Sequence, residues 1–266
     1  MRSSRGRTAA ATVALISAAA VVGAGCGSSD DTASSDAGSN PELVVFAASS
    51  LGPAFEEYGD RFADADVKFS FAGSDDLAAQ IRQGVTPDVY AAANTSLPEE
   101  LYKDDLIEKP TTFVTNRLVV GVPADSEIDS IDDLEQPGTT IAIGDEDVPV
   151  GIYTREVLDA LGAGPRAAIL DNVASSEPDV AGIVGKLTQG AVDAGFIYRS
   201  DVDATDGEIK QIDIPRSASP DVAYGIAVTT DAAQPEIAQQ FVDGVVSGEG
   251  QDILLDSGFG PATDSK

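Results

Sequence analysis

Ser50 and Ser74 occupy equivalent places in two segments, Leu43 to Leu51 (LVVFAASSL) and Val67 to Leu77 (VKFSFAGSDDL). In each, a short β-rich run passes through a turn of small residues and opens a helical pattern. A hydroxyl at such a junction, beside the unpaired N–H groups of a first helical turn, makes a cradle for a small anion. The layout recurs twice. Asp145-Glu146-Asp147-Val148-Pro149-Val150-Gly151 follows the run Thr140 to Ile143, where the N–H of Val150 or Gly151 would be a free donor, and Pro178-Asp179-Val180 does likewise. Tyr198 ends the run Gly195-Phe196-Ile197-Tyr198 and offers a phenolic O–H. Taken singly, either serine is also explained as a helix N-cap, and Tyr198 as a half-buried core aromatic. Their joint placement is what points to binding, because ligands of open α/β sheets sit beyond the carboxyl ends of strands, where such turns converge.

The elements that must position these groups alternate between strand and helix, which predicts an α/β architecture with parallel strands. Strands are expected at Leu43 to Ala47, Val67 to Phe71, Val89 to Ala92, Leu118 to Val122, Thr140 to Ile143, Ala194 to Tyr198 and Ala223 to Val228. Helices are expected at Gly52 to Ala63, Asp75 to Gln83, Leu97 to Asp104, Gly151 to Leu161, Asp179 to Gln189, Pro235 to Val246 and Gln251 to Ser257. Gly84, Gly162 and Gly190 each fall just past a periodic segment, where a left-handed residue closes a helix. A body of this length suggests two lobes. Lobe 1 would comprise 41–121 plus 222–266 and lobe 2 would comprise 122–221, with Leu118 to Val122 and Ala223 to Val228 as the two crossings. One continuous sheet with a long insertion fits the same spacing.

The chain has 266 residues, 42% of them hydrophobic, and a formal net charge of −29. That acidity argues against nucleic acid and anionic membrane surfaces as partners, since both need a basic face. With no histidine and one cysteine, imidazole metal sites, His-dependent triads, zinc clusters and intrachain disulfides are excluded. The cysteine belongs to an export signal: Arg2, Arg5 and Arg7 precede the apolar run Ala9 to Val22, which ends in Gly23-Ala24-Gly25-Cys26. Loss of residues 1–25 removes three arginines and leaves −32. Residues 26–40, rich in Ser, Asp, Gly and Ala, read as a flexible tether.

In this order the landmarks VVFAASSL, SFAGSDDLAAQI, TPDVYAAAN, LVVGVP, IAIGDEDVPVGIYTREVLDALG, SSEPDVAGIVGKLTQGAVDAGFIYRSDV and GFGP resemble the molybdate-binding proteins of ABC importers, from about Glu42 to Gly260. The resemblance implies a two-lobed type II periplasmic binding protein, each lobe a mainly parallel sheet flanked by helices. It implies that Ser50, Ser74 and Tyr198 give hydroxyl donors and Val150 and Val180 backbone N–H donors to molybdate or tungstate. It further implies no cofactor and no enzymatic activity, a monomer, and an ABC permease with a cytoplasmic ATPase as partner. The N-terminus resembles a lipoprotein signal, so that a lipid on Cys26 would anchor the chain to the outer face of the cell membrane. Gly73 stands where serine is expected, and Asp75 and Asp76 open the second helix with two carboxylates, which complement the helix dipole unless Asp75 faces the cleft. The five implied donors are uncharged, and hydroxyls with helix N-termini suffice to hold a dianion. A set of donors alone also rejects protonated anions, whose O–H would find no acceptor.

Three rival readings share this fold class. A sister protein for sulfate or phosphate would share the fold and differ in cavity size and donors. A ferric-ion binder would want anionic or imidazole ligands. An extracellular enzyme would need a nucleophile with a base other than histidine, and no G-x-S-x-G elbow is present.

Overall fold

A computed structural model describes residues 40–262; the signal 1–25, Cys26 and the tether up to residue 39 lie outside the described residues. β1 (Glu42–Ala48), α1 (Gly52–Arg61), β2 (Asp66–Ala72), α2 (Ser74–Arg82), β3 (Val89–Ala92), α3 (Ser96–Lys103) and β4 (Thr111–Asn116) come first. They are followed by β5 (Leu118–Pro123), β6 (Ile141–Gly144), α4 (Pro149–Leu161), α5 (Ala163–Asp171), β7 (Val173–Glu177), α6 (Val180–Thr188), β8 (Ala194–Tyr198), α7 (Arg199–Asp203) and β9 (Ile209–Asp213). The chain ends with β10 (Val222–Val228), α8 (Pro235–Ser247), α9 (Glu249–Asp256) and β11 (Gly260–Pro261). Short 3-10 turns lie at Ser49–Leu51 and Ile131–Glu135.

These strands form two sheets, ordered β11-β4-β10-β3-β1-β2 and β7-β6-β8-β5-β9, which are the cores of the two lobes. In each, three strands run parallel: β2-β1-β3 in the first and β7-β6-β8 in the second. The expectation of mainly parallel sheets holds for those triplets, but each sheet as a whole is mixed. β4, β5, β9, β10 and β11 pair antiparallel, and β4, β5, β9 and β10 flank the two passages between the sheets. The first passage between sheets is at Arg117, just ahead of Leu118, and the second spans 214–221, just ahead of Val222.

Burial explains the elements. β5, β6 and β8 are covered nearly end to end, as central strands flanked by helices on both faces should be. α1 takes a proline in its first turn and buries Ala54, Phe55 and Tyr58 on one side. Phe55 and Tyr58 meet Phe241 of α8 at ring-centroid distances of 5.8 and 4.9 Å, and each such ring removed from water contributes about 1.5–3 kcal/mol. Asp88, buried at the entry to β3, accepts hydrogen bonds from the N–H groups of Val44 and Gln234, each at 2.8 Å. It thereby ties β1 to the loop that starts α8. Gly84 and Gly190, with φ of 94° and 65°, take the positive φ expected after α2 and α6, whereas Gly162 combines φ 98° with an extended ψ of 169°, since it also leads straight into α5.

Six elements escape the sequence reading: β4, β7, β9, β11, α5 and α7. β7 (VASSE) and β9 (IKQID) are edge strands with polar faces. In α5 the sequence Ala163-Gly164-Pro165 resembles a turn, yet proline is tolerated in a first helical turn, where its missing N–H would be unpaired anyway.

Candidate functional site

The two parallel triplets aim their carboxyl ends at each other. Ala48 and Ala72 end β1 and β2 in paired register, so Ser50 and Ser74 emerge side by side. Opposite them, Gly144 and Glu177 are paired at the ends of β6 and β7, and Tyr198 ends β8. A cavity of about 20 Å³ lies between, lined among others by Ser50, Ser74, Val150, Val180 and Tyr198. Because one water needs about 10–15 Å³ on this scale, there is space for a single compact guest. The structure therefore brings all five residues singled out from sequence to one place.

Neither serine is a helix cap. The N-cap positions of α1 and α2 are Leu51 and Gly73, and neither helix has a side-chain cap. The Ser74 Oγ instead accepts the Ala93 N–H at 3.0 Å, which leaves its own proton to be given elsewhere. The Ser50 Oγ lies 2.9 Å from the Tyr224 Oη. Both serines are buried, so their protons have little access to bulk water.

On the opposite wall, α4 starts at Pro149 with no side-chain cap at Val148, and the N–H of Val150 belongs to the first turn, which has no partner within its helix. At α6 the Asp179 carboxylate caps by accepting the Gly182 N–H at 2.9 Å. Val180 keeps the first N–H of that helix. Asp179 lines the cavity, the one charged residue among the described residues that does so, with Oδ1 turned into its own helix. The Tyr198 Oη is buried and has no partner among the described residues. Burial above all, with Tyr224 and Tyr153 nearby, pushes its phenol well above the usual range, so it stays a donor. An unpaired O–H of this kind costs about 1–3 kcal/mol, which an acceptor in the cavity would return.

Asp75 does not line the cavity. It is half-buried beside Gly73, its Oδ1 lacks a partner, and burial, with Asp76 and Asp147 nearby, raises its pKa. Asp76 is exposed. Gly73 has a local reason to replace serine: a Cβ there would stand 2.6 Å from the Pro178 carbonyl of the other lobe.

Sequence reasoning overlooked the groups behind this wall. Asn116, Ser200, Asp201 and Tyr224 are all buried. The Asn116 Nδ2 donates to the Ser200 Oγ at 2.9 Å and to the Tyr224 Oη at 3.3 Å. The Asp201 Oδ2 accepts the Tyr198 N–H at 2.9 Å, and its pKa is pushed up to about 7 by burial, with Asp179 adding to the rise and the Tyr198 bond opposing it. No local pattern marks Asn116 or Tyr224, whereas Asp179 was legible as an N-cap residue type.

Residues 43–260 match the family described as bacterial extracellular solute-binding protein. The chain is 37% identical over 255 residues to the molybdate-binding protein ModA of Mycobacterium tuberculosis, covering 92% of this chain and 95% of that one. It superposes on the periplasmic molybdate-binding protein of Azotobacter vinelandii with a TM-score of 0.75 at 21% identity, covering 83% of this chain and all of the other. The sulfate-binding protein SubI of Mycobacterium tuberculosis gives 0.72 at 16% identity, with coverage of 85% and 88%. The last two likenesses speak for the fold. Fold, cavity and kinship together identify the chain as a member of the bacterial extracellular solute-binding proteins and, among them, of the molybdate-binding protein family.

Proposed function

We propose that the cavity captures molybdate, with tungstate as its near equal, and that the chain delivers the oxyanion to an ABC permease driven by a cytoplasmic ATPase. The observation that carries this reading is the convergence of uncharged donors on one small cavity with no cation in its wall. A tetrahedral dianion has only acceptors, so Ser50, Ser74, Tyr198 and the N–H groups of Val150 and Val180 match it from several sides. The partial positive charges of the α4 and α6 N-termini, about half an elementary unit each, offset its charge without a counter-ion.

Ser50 and Ser74 stand at strand ends of the larger sheet, in lobe 1, and the other three donors beside the smaller sheet, in lobe 2. Only closure of one lobe on the other completes the set. The ligand thus favours the closed form by its differential affinity, through hinge motion at the two passages, and that form is what the permease would recognise. The protein acts as a monomer that binds and releases rather than transforms its ligand. A lipid on Cys26 and the tether 26–40 would hold it at the outer face of the cell membrane.

Sulfate is the second reading, favoured by the fold shared with a sulfate-binding protein. Thermal unfolding separates the two. Ligand at about 100 times its dissociation constant adds roughly 2.7 kcal/mol, a rise of several degrees for a body of this size. Molybdate and tungstate are expected to give that rise and sulfate at equal concentration a smaller one; a rise with sulfate alone would overturn the molybdate reading.

A further inference from the structure

The relay behind Ser50 has a fixed direction. A backbone N–H can only donate, and the Arg117 N–H reaches the Asn116 Oδ1 at 2.8 Å, so Oδ1 is the accepting end of that amide and Nδ2 the donating end. Nδ2 donates to the Tyr224 Oη. Tyr224 is fully buried, and its remaining proton needs an acceptor; the Ser50 Oγ, 2.9 Å away, is the one within reach among the described residues. Burial first, and the Asp201 carboxylate next, hold this phenol protonated. Ser50 therefore receives a proton from behind and has its own left to give, on the side where it lines the cavity.

We propose that Tyr224 is a positioning residue for the binding site, which transmits donor polarity from Asn116 at the first passage between lobes to Ser50 and so makes Ser50 a donor toward the ligand. The proposal rests on the oxyanion reading above and adds a residue outside the cavity wall. It also gives a role to the fork at Asn116. One amide hydrogen holds Ser200 on α7 of lobe 2 and the other feeds Tyr224 on β10 of lobe 1, so the polarity of Ser50 is set at the joint about which the lobes move.

The test is titration calorimetry on the folded wild-type chain and on Ser50→Ala, Tyr224→Phe and the double variant, with molybdate and then with inorganic phosphate near pH 7. Tyr224→Phe is expected to weaken molybdate about tenfold, the worth of one hydrogen bond to a charged group, and the double variant to bind within twofold of Ser50→Ala. Freed to accept, Ser50 in Tyr224→Phe would also narrow the preference for molybdate over hydrogen phosphate, whose O–H the wild-type donor set rejects. Asn116→Asp serves where Tyr224→Phe does not fold. It turns a donor into an acceptor, draws the Tyr224 proton back and leaves Ser50 donating to Tyr224. Its expected effect is a phosphate-to-molybdate affinity ratio raised about tenfold, a ratio from which a uniform charge penalty on the two dianions cancels. Losses from Ser50→Ala and Tyr224→Phe that multiply, or an unchanged phosphate-to-molybdate ratio, would overturn the inference. Failure of the wild type itself to bind any tetrahedral oxyanion would instead overturn the functional reading.

Discussion

Ser50 and Ser74 present the same group to the same cavity, yet they are held in different ways. Ser74 takes its orienting bond from the Ala93 N–H, just past the end of β3, within one lobe. Ser50 takes it from a tyrosine 174 positions away, and that tyrosine from an asparagine at the passage between lobes. The first arrangement is built into the sheet and survives any change of side chain at Ala93. The second depends on side chains at the joint, so it is open both to substitution and to the relative position of the lobes.

Removing both hydroxyls should have the largest effect. Ser50→Ala combined with Ser74→Ala is expected to weaken molybdate about a thousandfold, at 1.5–3 kcal/mol for each bond to a charged acceptor; calorimetric affinity within tenfold of wild type would end the claim that either serine serves the ligand.

Next comes Asp201, buried and accepting the Tyr198 N–H. Its folded pKa of about 7 exceeds its ordinary 3.8. The folded chain therefore keeps a proton that the unfolded chain releases, and stability is lost as pH rises from about 4 through about 7. Asp201→Asn keeps an oxygen for the Tyr198 N–H and removes the titration. Urea unfolding should find it more stable than wild type at pH 8, by on the order of 4 kcal/mol, with the advantage shrinking toward pH 4. A gain independent of pH would remove the buried carboxylate as its cause.

The two serines should also separate in the absence of ligand. Ser74→Ala strands a fixed main-chain donor and is expected to cost about 1–3 kcal/mol in unfolding free energy. Ser50→Ala leaves a phenolic hydrogen that turns about its bond and should cost less. Equal losses would mean that the two modes of support are equivalent. Smallest is the salt effect. The acidic surface repels an anion from a distance, so stopped-flow association of molybdate should quicken about two- to threefold between 10 and 150 mM salt, with dissociation nearly constant.

What could be read from sequence follows the same division. Strand-to-turn-to-helix signals are local, and Ser50, Ser74, Val150, Val180 and Tyr198 all stand on them; each was legible, and the register of β1 with β2 explains why the first two meet. Asn116 and Tyr224 lie on strands whose buried pattern looks like ordinary core, and their partnership with Ser50 exists only after the sheets have formed. Periodicity carries no trace of such a contact. The missed strands β7 and β9 have the same origin: short polar edge strands acquire their state from neighbours rather than from their own propensity.

The strand order of the larger sheet constrains how the protein is made. β10 fills the slot between β3 and β4, and every residue of the smaller sheet precedes it in the chain. While the polypeptide is still emerging, β3 and β4 have no strand to join them, and lobe 2 is a contiguous stretch already able to collapse. Lobe 1 must wait with an open edge until residue 228 arrives, and such an edge invites pairing with other chains. Aggregation during biogenesis should therefore originate in the half that is begun first and finished last.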